Sequence, residues 1–143
     1  QARFNKAKEV LQTHKTVDAT RIGAIGFCFG GSYSWHQAAN GLKLSGAIGF
    51  YGRPARPDEA VGAIDRVGGM TCPILALMGG ADSTIPPADV DSFEKALNDA
   101  GVTNEVITYP GAPHSFFDRS YKEFADESTD AWRRVLEFIA TYS

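Results

Sequence analysis

The sequence predicts an α/β fold of about four parallel strands with flanking helices. Residues 22–27, 44–51 and 73–78 are apolar or glycine at nearly every position. Such continuous apolarity calls for burial on both faces, which a parallel sheet provides. Stretches with helical spacing of apolar residues lie between and after these runs. Strands alternating with helices imply right-handed crossovers into one sheet. With 143 residues, the chain is expected to form a single domain over 1–143, large enough to bury a core.

In order, Phe4, Ala7, Val10 and Leu11 predict a short opening helix, and residues 17–20 lead into the first strand, 22–27. A helix over 30–40 follows, with Tyr33 and Ala38 or Ala39 facing inward and Gly41 ending it. The second strand covers 44–51 and closes at Gly52. Residues 53–69 read as a connection with one short helix around 58–64. The third strand, 73–78, ends in the turn Gly79-Gly80-Ala81-Asp82. Pro86 and Pro87 suit a first helical turn, where a missing N–H costs nothing. Val90, Phe93, Ala96 and Leu97 form that helix's apolar stripe, and Gly101 stops it. Residues 105–109 are the fourth strand, and a loop over 110–117 carries His114. A long helix within 121–142 sets Trp132, Val135, Leu136 and Ile139 on one face; Trp132, Phe93 and Phe138 read as core.

Bulk properties exclude several classes of function. The net charge is −3 with scattered basic residues, so no nucleic-acid face is expected. No apolar run approaches the roughly 20 residues of a membrane span. The two cysteines, Cys28 and Cys72, do not make a disulfide framework, and a reducing, cytoplasmic setting is expected. No spacing of His, Cys or carboxylates resembles a metal site, and no cofactor is implied. His14 and His36 read as surface or packing residues.

The first strand ends in Gly26-Phe27-Cys28-Phe29-Gly30, a glycine-flanked thiol between a strand and a helix. This fits the nucleophile elbow of α/β-hydrolases with cysteine in the serine position. The turn is strained, and small flanking residues let strand and helix approach closely. Functional residues in such sheets gather beyond the carboxyl ends of the strands. Cys28, Asp82 and His114 follow the first, third and fourth strands, in the order nucleophile, acid, histidine. A histidine would raise the thiolate fraction of the cysteine, and the acid would hold the imidazole in one orientation. The N–H of Phe29, at the helix start, suits an oxyanion. Taken singly, Cys28 also fits a buried structural thiol, and Asp82 a simple turn cap.

The motifs Gly26-Phe27-Cys28-Phe29-Gly30-Gly31, Phe50-Tyr51-Gly52, Cys72-Pro73-Ile74-Leu75, Gly80-Ala81-Asp82 and Tyr109-Pro110-Gly111-Ala112-Pro113-His114-Ser115-Phe116 together resemble the dienelactone hydrolases, or carboxymethylenebutenolidases. The resemblance implies hydrolysis of small esters or lactones through an acyl-enzyme on Cys28. It carries the catalytic roles onto Cys28, Asp82 and His114, and a pocket-lining role onto Tyr51. Arg119 lies near the place of a family arginine that follows the histidine.

Family members also have an N-terminal half that supplies central strands and the second oxyanion donor. The present chain opens on Gln1 and reads as the C-terminal part of that fold. The strand over 22–27 would then be an apolar sheet edge that invites pairing with a second copy. The alternative expectation is therefore a catalytically weak half-domain that self-associates through this strand.

Overall fold

The computed structural model describes residues 2–55 and 61–143. The elements are helix α1 (Ala2–Thr13), strand β1 (Ala24–Phe27), helix α2 (Phe29–Ala38), strand β2 (Ala47–Phe50), a 3-10 helix (Ile64–Gly69), strand β3 (Ile74–Gly79), helix α3 (Pro87–Asp99), strand β4 (Asn104–Tyr109) and helix α4 (Ala125–Tyr142). The four strands form one parallel sheet in the order β1-β2-β3-β4. The expected short helix around 58–64 falls partly outside the described residues, and its described part leads into the 3-10 turn.

The two faces of the sheet bury separate cores. Ile74, Ala76 and Met78 point to one face, where Trp35 of α2 and Phe93 and Leu97 of α3 cover them. Leu75 and Leu77, with Ile48 and Phe50 of β2, point to the other face, against Val135 and Phe138 of α4. The strict alternation along β3 is the period-2 geometry of a strand buried on both sides. Gly49 explains how α2 lies so close to the sheet. A Cβ there would come within 2.4 Å of the Trp35 indole, whose Nε1 donates to the Leu75 carbonyl at 3.3 Å.

Two expectations about burial are corrected. β1 lies at the sheet edge, as the edge expectation has it, but it is not buried on both faces: Ile25 is 49% and Phe27 38% exposed. In register, Ile25 pairs with Ile48 and Phe27 with Phe50, so both point toward the α4 face. α4 covers the inner strands and leaves this margin open. On α4 itself, Ala131, Val135 and Phe138 are buried, while Trp132, Leu136 and Ile139 are 46%, 51% and 41% exposed. The apolar stripe is wider than the strip of sheet beneath it, so Trp132 is not core. Ile139 and Phe138 instead line, with Ile25 and Ile48, an apolar groove of about 370 Å³ beside β1.

α4 is tied to β4 by polar contacts as well. The Tyr109 hydroxyl donates to Asp130 at 2.9 Å, and Arg134 bridges Asp130 and Glu105. Hydrogen bonds from Arg134, Arg133 and Tyr109 hold the Asp130 carboxyl down at about 2. Its stabilising effect is therefore present above the ordinary carboxylate range and is lost as pH falls toward 2. Among the described residues, no helix is long and apolar enough to cross a membrane.

Candidate active site

The site is built at the carboxyl end of the sheet, beginning with Cys28. β1 pairing continues onto it, since the Cys28 N–H donates to the Phe50 carbonyl at 3.0 Å. The chain then reverses into α2 with Cys28 at φ 53°, ψ −121°. A non-glycine residue with positive φ is strained, and such strain is characteristic of functional turns. The Cys28 carbonyl accepts from the N–H groups of Gly31 and Ser32, which closes the first turn of α2.

The glycines around the elbow have unequal roles. A Cβ on Gly26 would lie 2.0 Å from the Gly30 carbonyl oxygen, and one on Gly31 would lie 2.6 Å from the Phe50 carbonyl. A Cβ on Gly30 would meet nothing within 4 Å. The steric requirement therefore rests on Gly26 and Gly31, not symmetrically on the residues two before and two after the thiol.

The turn after β3 places the acid. Gly80 N–H donates to Tyr109 O at 2.7 Å and Ala81 N–H to Ala112 O at 3.0 Å, which fastens this turn to the loop after β4. Gly79 and Gly80 permit the approach, because a Cβ on either would strike backbone atoms of residues 109–113 within 3 Å. The Asp82 carboxylate is fully buried. Its Oδ1 accepts from the N–H and hydroxyl of Thr84 at 2.8 and 2.6 Å, while its Oδ2 faces His114 Nδ1 at 2.5 Å. Asp82 is thus both the turn cap and the partner of the histidine.

The three residues read from the sequence at separate strand ends come together here. A carboxylate only accepts, so His114 Nδ1 carries the proton that points at Asp82. In the neutral ring, Nε2 then presents its lone pair to Cys28 Sγ, 3.0 Å away. The elements deliver an acid, an imidazole held in one tautomer, and a thiol in a continuous line.

Tyr51 is fully buried, with its ring 5.0 Å from that of His114, and it too has positive φ. Among the described residues its hydroxyl is buried without a hydrogen-bond partner. Burial first, and then the nearby charges of Asp118 and Cys28, push this hydroxyl well above the usual phenol range. Arg119 lies exposed on the loop beyond Phe117 and does not line the cleft beside the thiol. That cleft, about 200 Å³, is lined by Cys28, Phe29, Ser32, Arg53, Thr84, Ile85 and His114. Phe29 heads α2 as expected; its ring is half exposed and stacks on Tyr33 at 4.2 Å.

Sequence reasoning missed Ser32, Thr84 and Ile85 of the cleft, and also Arg53 and Ser115. Arg53 has one signal, its place directly after Phe50-Tyr51-Gly52 at the carboxyl end of β2. Ser115 has only its adjacency to His114 as a signal, yet its hydroxyl lies 3.7 Å from Cys28 Sγ. His36, read as a surface or packing residue, is buried in the helix. Among the described residues, no group of three or more His, Cys, Asp or Glu side chains could hold a metal ion.

Comparison with known proteins gives this geometry a family context. A family model described as the dienelactone hydrolase family matches residues 1–143. A provisionally named carboxymethylenebutenolidase of Methylorubrum extorquens is 33% identical over 131 residues, covering 87% of this chain and 44% of its own length. A protein of the same provisional name from Saccharolobus solfataricus is 36% identical over 144 residues, covering 95% of this chain and 51% of the relative. Among solved structures, a provisionally named dienelactone hydrolase from Klebsiella pneumoniae superposes with a TM-score of 0.90 at 31% identity, over 99% of this chain and 60% of that one. The chain therefore spans about half the length of the curated relatives it matches. It has the α/β-hydrolase fold of these proteins, and it belongs to the dienelactone hydrolase family.

Proposed function

We propose that this chain carries the reacting residues of a hydrolase for small esters or lactones, working by a cysteine nucleophile in a reducing compartment. The observation that carries the reading is the unbroken line from Asp82 Oδ2 through His114 to Cys28 Sγ, at 2.5 and 3.0 Å.

In this reading His114 Nε2 takes the thiol proton as Sγ attacks the carbonyl carbon. The C–S bond forms, and the carbonyl electron pair moves onto oxygen. The Phe29 N–H, at the positive end of α2, faces that developing charge. Collapse breaks the C–O bond of the ester, and His114 returns the proton to the departing alcohol. The thioester is then cleaved by a water that His114 deprotonates, releasing the acid and restoring the thiol. Asp82 stabilises the imidazolium in both halves. Tyr51, buried against the His114 ring, backs the imidazole from beneath the cleft. In a lactone, acid and alcohol leave as one hydroxy acid.

The test is hydrolysis of p-nitrophenyl acetate by the chain and by His114→Ala. Loss of the base is expected to slow turnover by about 100-fold or more. Equal rates would show that His114 is not the base.

A second reading is favoured by the exposed apolar margin at Ile25 and Phe27 on β1. On this reading the 143-residue chain by itself is catalytically weak and self-associates through β1. A self-associated chain without measurable turnover is the result that would favour it.

A further inference from the structure

The sulfur of Cys28 has a second polar neighbour besides His114. We infer that Ser115 is a catalytic residue, whose hydroxyl donates a hydrogen bond to the Cys28 thiolate. The inference rests on the cysteine-nucleophile reading above and extends it to a group that touches the reacting atom.

Three observations converge on Ser115. Its Oγ lies 3.7 Å from Cys28 Sγ, within reach of a hydrogen bond to sulfur. The residue is only 6% exposed, and among the described residues the sulfur is the sole side-chain or backbone partner of that hydroxyl. A buried hydroxyl needs a partner, and here the nucleophile is that partner. Ser115 also stands at φ 63°, the left-handed region that serine rarely occupies. This conformation is locked in place, because the Ser115 carbonyl accepts from the N–H groups of Asp118, Arg119 and Ser120 at 3.2, 3.0 and 3.3 Å. The loop thus holds a strained serine whose hydroxyl meets the sulfur, on a backbone position that glycine would occupy more readily.

The chemistry follows from the donor inventory. Once His114 has taken the thiol proton, its Nε2–H and the Ser115 O–H both point at a negatively charged sulfur. Hydrogen bonds to an ionised acceptor are about twice as strong as neutral ones. Ser115 would therefore favour the thiolate over the thiol and fix the direction of Sγ before attack. It supplies no proton to the reaction and forms no bond with the substrate.

The experiment measures iodoacetamide alkylation of Cys28 against pH, with thermal unfolding, in the chain and in Ser115→Ala and Ser115→Gly. Alkylation needs no substrate turnover, so it is independent of whether the chain hydrolyses esters. Both variants are expected to react about tenfold more slowly at pH 7 and to reach the unsubstituted rate at alkaline pH. Their stabilities should diverge: Ser115→Ala melts below the unsubstituted chain, whereas Ser115→Gly, relieved of strain, melts at or above it. Alkylation at the unsubstituted rate in Ser115→Gly would overturn the inference and leave Ser115 a loop residue. If Cys28 of the unsubstituted chain reacts no faster at pH 7 than a small-molecule thiol, the cysteine-nucleophile reading itself fails.

Discussion

Replacing Cys28 with alanine is expected to lower p-nitrophenyl acetate hydrolysis by at least about 1,000-fold, because nucleophile loss in a three-residue relay removes most of its chemistry. Rate assays at matched protein concentration measure this directly. The substitution removes only a half-buried sulfur from the rim of a cleft, so the sheet and α2 should persist. Cys72→Ala is the control. Cys72 is 6% exposed at the far end of the sheet, and burial pushes its thiol up to about 11, so it is neither reachable nor ionised. Its loss should leave the rate unchanged. An unaltered rate in Cys28→Ala would assign hydrolysis to some other group.

Gly26→Ala is expected to be the most damaging single methyl group that can be added to this chain. Its Cβ would lie 2.0 Å from Gly30 O and 2.3 Å from Gly30 C, and both are backbone atoms that cannot rotate away. β1 and α2 would have to separate, which pulls Cys28 from His114 and lifts Trp35 off Gly49. Overpacking of this kind costs about 3 kcal/mol or more. For a domain of this size that corresponds to a fall of roughly 10 °C in thermal midpoint, measurable by circular dichroism. Gly30→Ala provides the comparison within the same turn. Its Cβ would face open space within α2, and alanine is the better helix former, so its midpoint should hold or rise. Similar losses in both variants would show that the elbow is not limited by sterics at Gly26.

These two predictions also mark how far the sequence could be read. The line of Cys28, His114 and Asp82 was legible because each follows an apolar strand or a glycine turn, and parallel topology sends all such ends to one edge. The helix register on α3 was legible for the same reason: Val90, Phe93 and Leu97 are buried at the spacing the sequence shows. Trp132, Leu136 and Ile139 mislead, because periodicity reveals an apolar stripe without revealing how much sheet lies beneath it. Gly30 misleads in a similar way. Its place in the motif suggests that it must be glycine, but the fold leaves no room for a Cβ on Gly26 or Gly31 and open space for one on Gly30. Ser115 was illegible as a partner of the thiol, since its role depends on a positive φ and a loop hydrogen-bond pattern with no periodic signature. Arg53 stands just beyond the carboxyl end of β2, where the topology gathers functional residues, but no partner spacing singles it out.

The proposed chemistry turns on covalent acylation of Cys28 Sγ. Mass analysis of the intact chain, quenched during reaction with p-nitrophenyl acetate and then digested, tests it most directly. One acetyl group is expected, located on the peptide containing Cys28 and absent from Cys28→Ala. Hydrolysis that proceeds without any adduct on Cys28, or with the acetyl group on a different residue, would contradict it.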